Sequence, residues 1–272
     1  MKKMTLIAAL LVPSLFGSVA NAQTEVNPKL VAALSNDLRQ EANLQRDVYR
    51  HPGETLSFFD IKPTDTVIEL WPGGRWYAEI LAPYLAAEGH YIAANFDANP
   101  PEGVTLPGYQ IRLGKALQQW ISDNNTALGN ASVLAFDPPR LASLGDDNSA
   151  DAVLTFRNLH NWAMKEQLEN VFDAAYQVLK PGGVFGVVEH RAKPGMEIKS
   201  GYMVQDEMIA LAEQSGFKLV ASSEVNANAK DSKDYPKGVW TLPPSLRLGD
   251  QDKEKYLAIG ESDRMTLKFV KK

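Results

Sequence analysis

Between Asp65 and Tyr77 the chain reads DTVIELWPGGRWY, and this stretch constrains the fold more than any other. Val67 and Ile68 open a short β-branched, apolar run that ends at the acid Glu69. Pro72-Gly73-Gly74 is a turn, and helical spacing follows over Trp76–Ala86. Strand, glycine turn and helix form the unit that brings backbone amides up to a nucleotide-like ligand. Glycine is also needed at such a corner for steric reasons alone, so the segment by itself reads equally as a plain turn.

The same alternation continues downstream. Strands are predicted over Thr66–Leu70, His90–Phe96, Ser132–Phe136, Ala152–Phe156, Val184–Glu189, Lys218–Val225 and Met265–Val270. Helices are predicted over Trp76–Ala86, Tyr109–Ser122, Lys165–Leu179 and Val204–Gln214. Helices between strands imply an α/β fold, a doubly wound, mostly parallel seven-stranded sheet covered on both faces. Upstream, Lys29–Tyr49 has helical spacing, with Leu30, Ala33, Leu34, Leu38 and Leu44 on one side, and Arg50-His51-Pro52-Gly53 breaks it. Asn226 to Ser262 is a long connection carrying Pro236, Pro243 and Pro244, of a length found in functional loops, lids or disordered segments.

Lys2, Lys3, the apolar Met4–Phe16 and the small residues of Ala20-Asn21-Ala22 have the form of a secretory signal over 1–22. An exported, periplasmic location is therefore expected, and the apolar run is too short for a stable membrane anchor. The remainder divides into an N-terminal helical extension (23–55) and one domain (56–272). The chain has no cysteine, which excludes disulfides, thiolate metal sites and a cysteine nucleophile. A net charge of −5 argues against nucleic acid as a partner. Neither a GxSxG elbow nor a GxxxxGK loop is present, so hydrolase and nucleotide-triphosphatase readings have no support.

IELWPGGRWYAEILAPYL (Ile68–Leu85), LTFRNLHNW (Leu154–Trp162), VLKPGG (Val178–Gly183), VVEHRA (Val187–Ala192), SGFKL (Ser215–Leu219) and SDRMTLKF (Ser262–Phe269) occur in this order. Together they resemble a class I S-adenosylmethionine-dependent methyltransferase, and more narrowly an exported family of bacterial methyltransferases. The resemblance implies a Rossmann-like sheet, S-adenosylmethionine as cofactor and a small-molecule methyl acceptor. It places cofactor-binding residues at Glu69, Pro72, Gly73, Gly74, Asn95, Asp97, Phe136, Asp137 and Asn158. Glu69 would accept from the methionine ammonium, Asn95 or Asp97 from the ribose, and Phe136 and Asp137 would meet the adenine. Trp71 and Arg75 stand where the family has its first and third glycines. A residue as large as Trp71 requires a negative φ there, and Arg75 either blocks the methionine pocket or pairs with the ligand carboxylate.

On the substrate side, His160 and His190 are candidate proton-transfer groups and Asn161 an orienting group. The plainer readings are a helix cap at Arg157–Trp162 and, at Glu189-His190-Arg191, an ion-pair network that includes Asp263 and Arg264. A metal held by the two histidines and Glu189 has no supporting spacing, and none is expected. A non-catalytic binding protein with the same fold is the alternative to an enzyme.

Overall fold

The computed structural model describes residues 27–272, so the signal-sequence expectation lies outside the described residues. Four short helices come first: α1 (Pro28–Leu34), α2 (Glu41–Leu44), α3 (Asp47–Arg50) and α4 (Pro52–Phe59). The continuous helix expected over Lys29–Tyr49 is therefore broken. Asn36 breaks it, donating to the Ala33 carbonyl and accepting from the Leu38 N–H, which diverts the backbone from its helical ladder.

Then follow β1 (Thr66–Leu70), α5 (Ala78–Leu85), β2 (His90–Asn95), α6 (Gly108–Asp123), α7 (Asn125–Leu128), β3 (Ser132–Ala135) and β4 (Ala150–Phe156). The chain continues with α8 (Leu159–Ala163), α9 (Leu168–Val178), β5 (Leu179–His190), α10 (Gln205–Gln214), β6 (Phe217–Ser223), α11 (Lys253–Ile259) and β7 (Arg264–Lys271). All seven expected strands are present, with ends shifted by a few residues. The helix expected over Lys165–Leu179 begins later, as α9 at Leu168, with Glu166 at positive φ before it, and a separate short helix, α8, follows β4.

The sheet order is β3-β2-β1-β4-β5-β7-β6. Strands β1 to β5 are parallel, and β7 runs antiparallel between β5 and β6. Strand order reverses between β1 and β4, and in open α/β sheets that is where a crevice opens beyond the carboxyl ends of the strands. Two apolar clusters cover the faces, one around Phe172, Phe185 and Phe269, the other around Phe59, Ile80 and Leu85.

The N-terminal helices are fastened to the domain through a buried carboxylate. Glu79 on α5 is fully buried and accepts from the Gln40 backbone N–H, the Gln40 amide and the Asn43 amide. This anchor brings Asn43, Arg46 and Arg50 over the end of the sheet. Among the described residues, no helix is long and apolar enough to cross a membrane.

Candidate active site

The crevice at the switch point holds two cavities, of about 330 and 340 Å³. They share Trp71, Gly73, Asn158 and Asn161, which form the ridge between them. The first cavity reaches Glu69, His160, His190, Arg50, Arg157, Trp240 and Glu261. The second lies against Phe96, Tyr109 and Lys165.

The turn after β1 is built differently from the expectation. Trp71 has a φ of 47°, in the left-handed region that bulky residues avoid, and so the requirement of a negative φ is overturned. The surroundings hold it there. Its backbone N–H donates to Ala94, its indole Nε1 donates to the Phe136 carbonyl at 2.8 Å, and its ring packs against Phe96 and Trp162. Gly73, at φ 56°, uses the freedom only glycine has. A Cβ on Gly74 would meet no atom within 4 Å, so this glycine leaves open space along the cavity wall. Arg75 takes neither of its expected roles: it lies over the Trp120 ring and beside Glu79, away from both cavities.

Glu69 lines the first cavity and accepts from the Tyr91 hydroxyl at 2.6 Å. Burial pushes its carboxyl up to about 8, against smaller opposing effects from Tyr91 and Arg157. Asn158 donates to the carbonyls of Leu70 and Trp71, tying the loop after β4 to the turn after β1.

Pro72 also lines the first cavity, whereas Asn95, Asp97, Phe136 and Asp137 line neither. Asn95 is fully buried with both amide atoms unpartnered. Phe136 is core. Asp97 and Asp137 are both held by Arg140 at 2.9 Å. A sequence alone does not show that Arg140, after the Pro138-Pro139 pair, folds back to occupy both carboxylates.

The expected pairing of histidines is present: the rings of His160 and His190 lie 5.3 Å apart. His160 Nδ1 is 3.1 Å from Glu189 Oε1. Glu189 also accepts the backbone N–H groups of Leu159, His160 and His190, so both of its oxygens are engaged. A carboxylate in that role fixes His160 with its proton on Nδ1 and its Nε2 free to accept. The three side chains lie close enough to share an ion, with ligand atoms within 4.8 Å, but Glu189 has no uncommitted oxygen to give. His190 accepts or donates at Ser262 Oγ, and burial, then the neighbouring His160 and arginines, hold it well below the usual histidine range. Arg191 belongs to the plainer reading, since it pairs with Asp263 and Glu224, while Lys233 completes the network.

Arg46, Arg50, Arg157, Trp240 and Glu261 also line the first cavity, and no local sequence signal marks them. Arg50 stands in the helix break before Pro52, and nothing local distinguishes such arginines from solvated ones. Trp240 lies edge-on to His160 at 5.8 Å, and with Pro243 and Pro244 it brings the long 226–262 connection over the cavity as an ordered cover.

The comparisons with known proteins agree with this architecture. A methyltransferase domain model matches residues 115–187, from within α6 into β5, and so begins after the glycine turn. A SAM-dependent methyltransferase from Aquifex aeolicus superposes with a TM-score of 0.51 at 17% identity, covering 67% of this chain and 87% of that one. The [4+2]-cyclase SpnF superposes with a TM-score of 0.54 at 15% identity, covering 87% of this chain and 85% of that one. No curated protein matches the sequence. The fold is that of the S-adenosylmethionine-dependent methyltransferases. The domain match indicates a methyltransferase, and S-adenosylmethionine is the cofactor it implies. That a cyclase shares the fold shows how the reaction depends on the site rather than the sheet.

Proposed function

We propose that the chain is an S-adenosylmethionine-dependent methyltransferase acting on a small molecule. The observation that carries this reading is the pair of cavities meeting over the Gly73 turn at the switch point, with a carboxylate-oriented histidine in one of them. The residues fit the cofactor. Glu69 and the open side of Gly74 suit its amino-acid end, while Phe96 and Tyr109 offer aromatic surface to a purine in the second cavity.

When bound, S-adenosylmethionine supplies a methyl group on a sulfonium centre. The protein's own part is alignment, proton removal and exclusion of water. His160 Nε2 takes the proton from an acceptor hydroxyl or amine, and Glu189 stabilises the resulting imidazolium through Nδ1. Trp240, Pro243 and Pro244 keep bulk water off that face.

Thermal unfolding of the purified protein with S-adenosylmethionine or S-adenosylhomocysteine tests the reading. A ligand at about a hundred times its dissociation constant adds about 2.7 kcal/mol of stability. Glu69→Ala should weaken the effect. Absence of any shift with either compound removes methyl transfer from this site.

A further inference from the structure

Four arginines converge on a single acid at the floor of the first cavity. Glu261 Oε1 lies 2.7 Å from Arg46 Nε, and its Oε2 lies 3.1 Å from Arg50 Nε, 3.3 Å from Arg264 Nη1 and 3.9 Å from Arg157 Nη1. Glu261 is the only carboxylate within ion-pair distance of any of these four among the described residues. Glu189 adds no contact with them, and Glu69, pushed up to about 8, is largely uncharged at neutral pH. Asp263, Lys233, Arg191 and Glu224 form their own paired network on the neighbouring rim. Positive charge is therefore in excess around the cavity.

The excess is visible in the hydrogen bonding. Arg50 is 1% exposed, yet its Nη1 has no partner, and the Nη2 of Arg46 is buried without one. Arg46, Arg50 and Arg157 all line the cavity. A buried guanidinium nitrogen left unpaired costs free energy unless something completes it. Mutual repulsion adds to that cost: burial, and then Arg157, pull Arg50 below the usual arginine range. The donor cannot settle this charge, because its sulfonium and ammonium outweigh its single carboxylate. The planar forks of arginine match the oxygens of carboxylates and phosphates.

On the methyltransferase reading, we propose that Arg46, Arg50 and Arg157 form the anion-binding subsite for the methyl acceptor, which carries a phosphate or carboxylate group. The acceptor's anionic end completes the unpaired guanidinium nitrogens, and its nucleophilic atom faces His160 across the same cavity. The site selects against cationic and neutral acceptors.

Calorimetric titration with inorganic phosphate and with malonate, without donor and at constant chloride, is the test. Saturable binding is expected in the wild type, weakened about tenfold or more by Arg50→Gln and by Arg46→Gln. Lys29→Gln, at an exposed lysine paired with Glu88, controls for net charge and should change nothing. Should Arg50→Gln fail to fold, Arg46→Gln decides alone, since that side chain is partly exposed and its loss relieves repulsion. The affinity for S-adenosylhomocysteine should stay within about twofold in both variants. Two results would overturn the proposal. One is no saturable binding of either anion. The other is a loss of S-adenosylhomocysteine affinity in both arginine variants with 5′-methylthioadenosine unaffected, which would give the arginines to the donor's own carboxylate. If the wild type binds the anions but never S-adenosylhomocysteine, the anion subsite stands and the methyltransferase reading fails.

Discussion

Replacing Glu69 by Gln should make the protein more stable from mild acid upward, by a margin that grows until about pH 8, and leave it nearly unchanged only below about pH 4. Glu69 is 3% exposed and shares one short hydrogen bond with Tyr91, and its carboxyl is pushed up to about 8, mainly by burial. In the unfolded chain the same group titrates near 4.3. Below that value both states hold the proton, and Glu69 costs nothing. As pH rises, the unfolded chain ionises while the folded one does not, and stability falls by about 1.4 kcal/mol per pH unit until about pH 8. The loss totals on the order of 3–5 kcal/mol, a large fraction of a domain's stability. Glutamine keeps the shape and an acceptor for the Tyr91 hydroxyl but cannot ionise. Urea unfolding of both proteins from pH 5 to 9 should therefore show the variant's advantage growing up to about pH 8 and levelling above it. A gap that stays constant across the range would refute the raised carboxyl. The wild type's cost also has a use: a cationic ammonium beside Glu69 favours its ionised form. Binding of S-adenosylhomocysteine near pH 7 should then release protons, measured as a dependence of the calorimetric heat on the buffer's ionisation enthalpy. Glu69→Gln should lose that dependence.

His160→Ala should lower turnover by about 10²–10⁴-fold while the dissociation constant for S-adenosylhomocysteine holds; an equal loss of both would make His160 a binding residue. Trp71→Ala removes a ring packed between Phe96 and Trp162 and an indole hydrogen bond, and should cost about 3–5 kcal/mol in urea unfolding. A cost under about 1 kcal/mol would mean that the ring's packing and indole hydrogen bond contribute little, since alanine keeps the Cβ and with it the strain of the positive φ. His190 is held neutral in the folded protein, so wild-type stability should fall as pH drops below about 6.5, where the unfolded histidine takes up a proton. His190→Gln should flatten that acid limb, and an unchanged slope would place the titration elsewhere.

The strands were legible because the central ones are covered on both faces and read as apolar runs, as Val184–Val188 does. The histidine pair was legible for a related reason: a polar cluster directly at the end of an apolar strand has to lie at the sheet's carboxyl edge. His160 follows β4 and His190 ends the adjacent β5, so parallel pairing alone brings them together. The ribose and adenine residues were less legible, because their positions follow from the fold but their availability depends on Arg140, whose reach no local pattern discloses. The arginine cluster was not legible at all. Arg46 and Arg50 come from the N-terminal helices, Arg157 from the loop after β4, and Arg264 and Glu261 from the entry to β7.

Such an arrangement exists only after α1 to α3 have docked, and Glu79 does the docking by accepting three hydrogen bonds from Gln40 and Asn43. The same short helices whose breaks interrupt the expected periodicity are thus the ones that deliver charge to the cavity. Without them Glu261 would face Arg157 and Arg264 alone, and the crevice would lose the two guanidinium groups whose nitrogens remain unpaired. On the proposed reading, acceptor selection belongs to the N-terminal extension, while the sheet supplies the donor's cradle and the histidine that takes the proton.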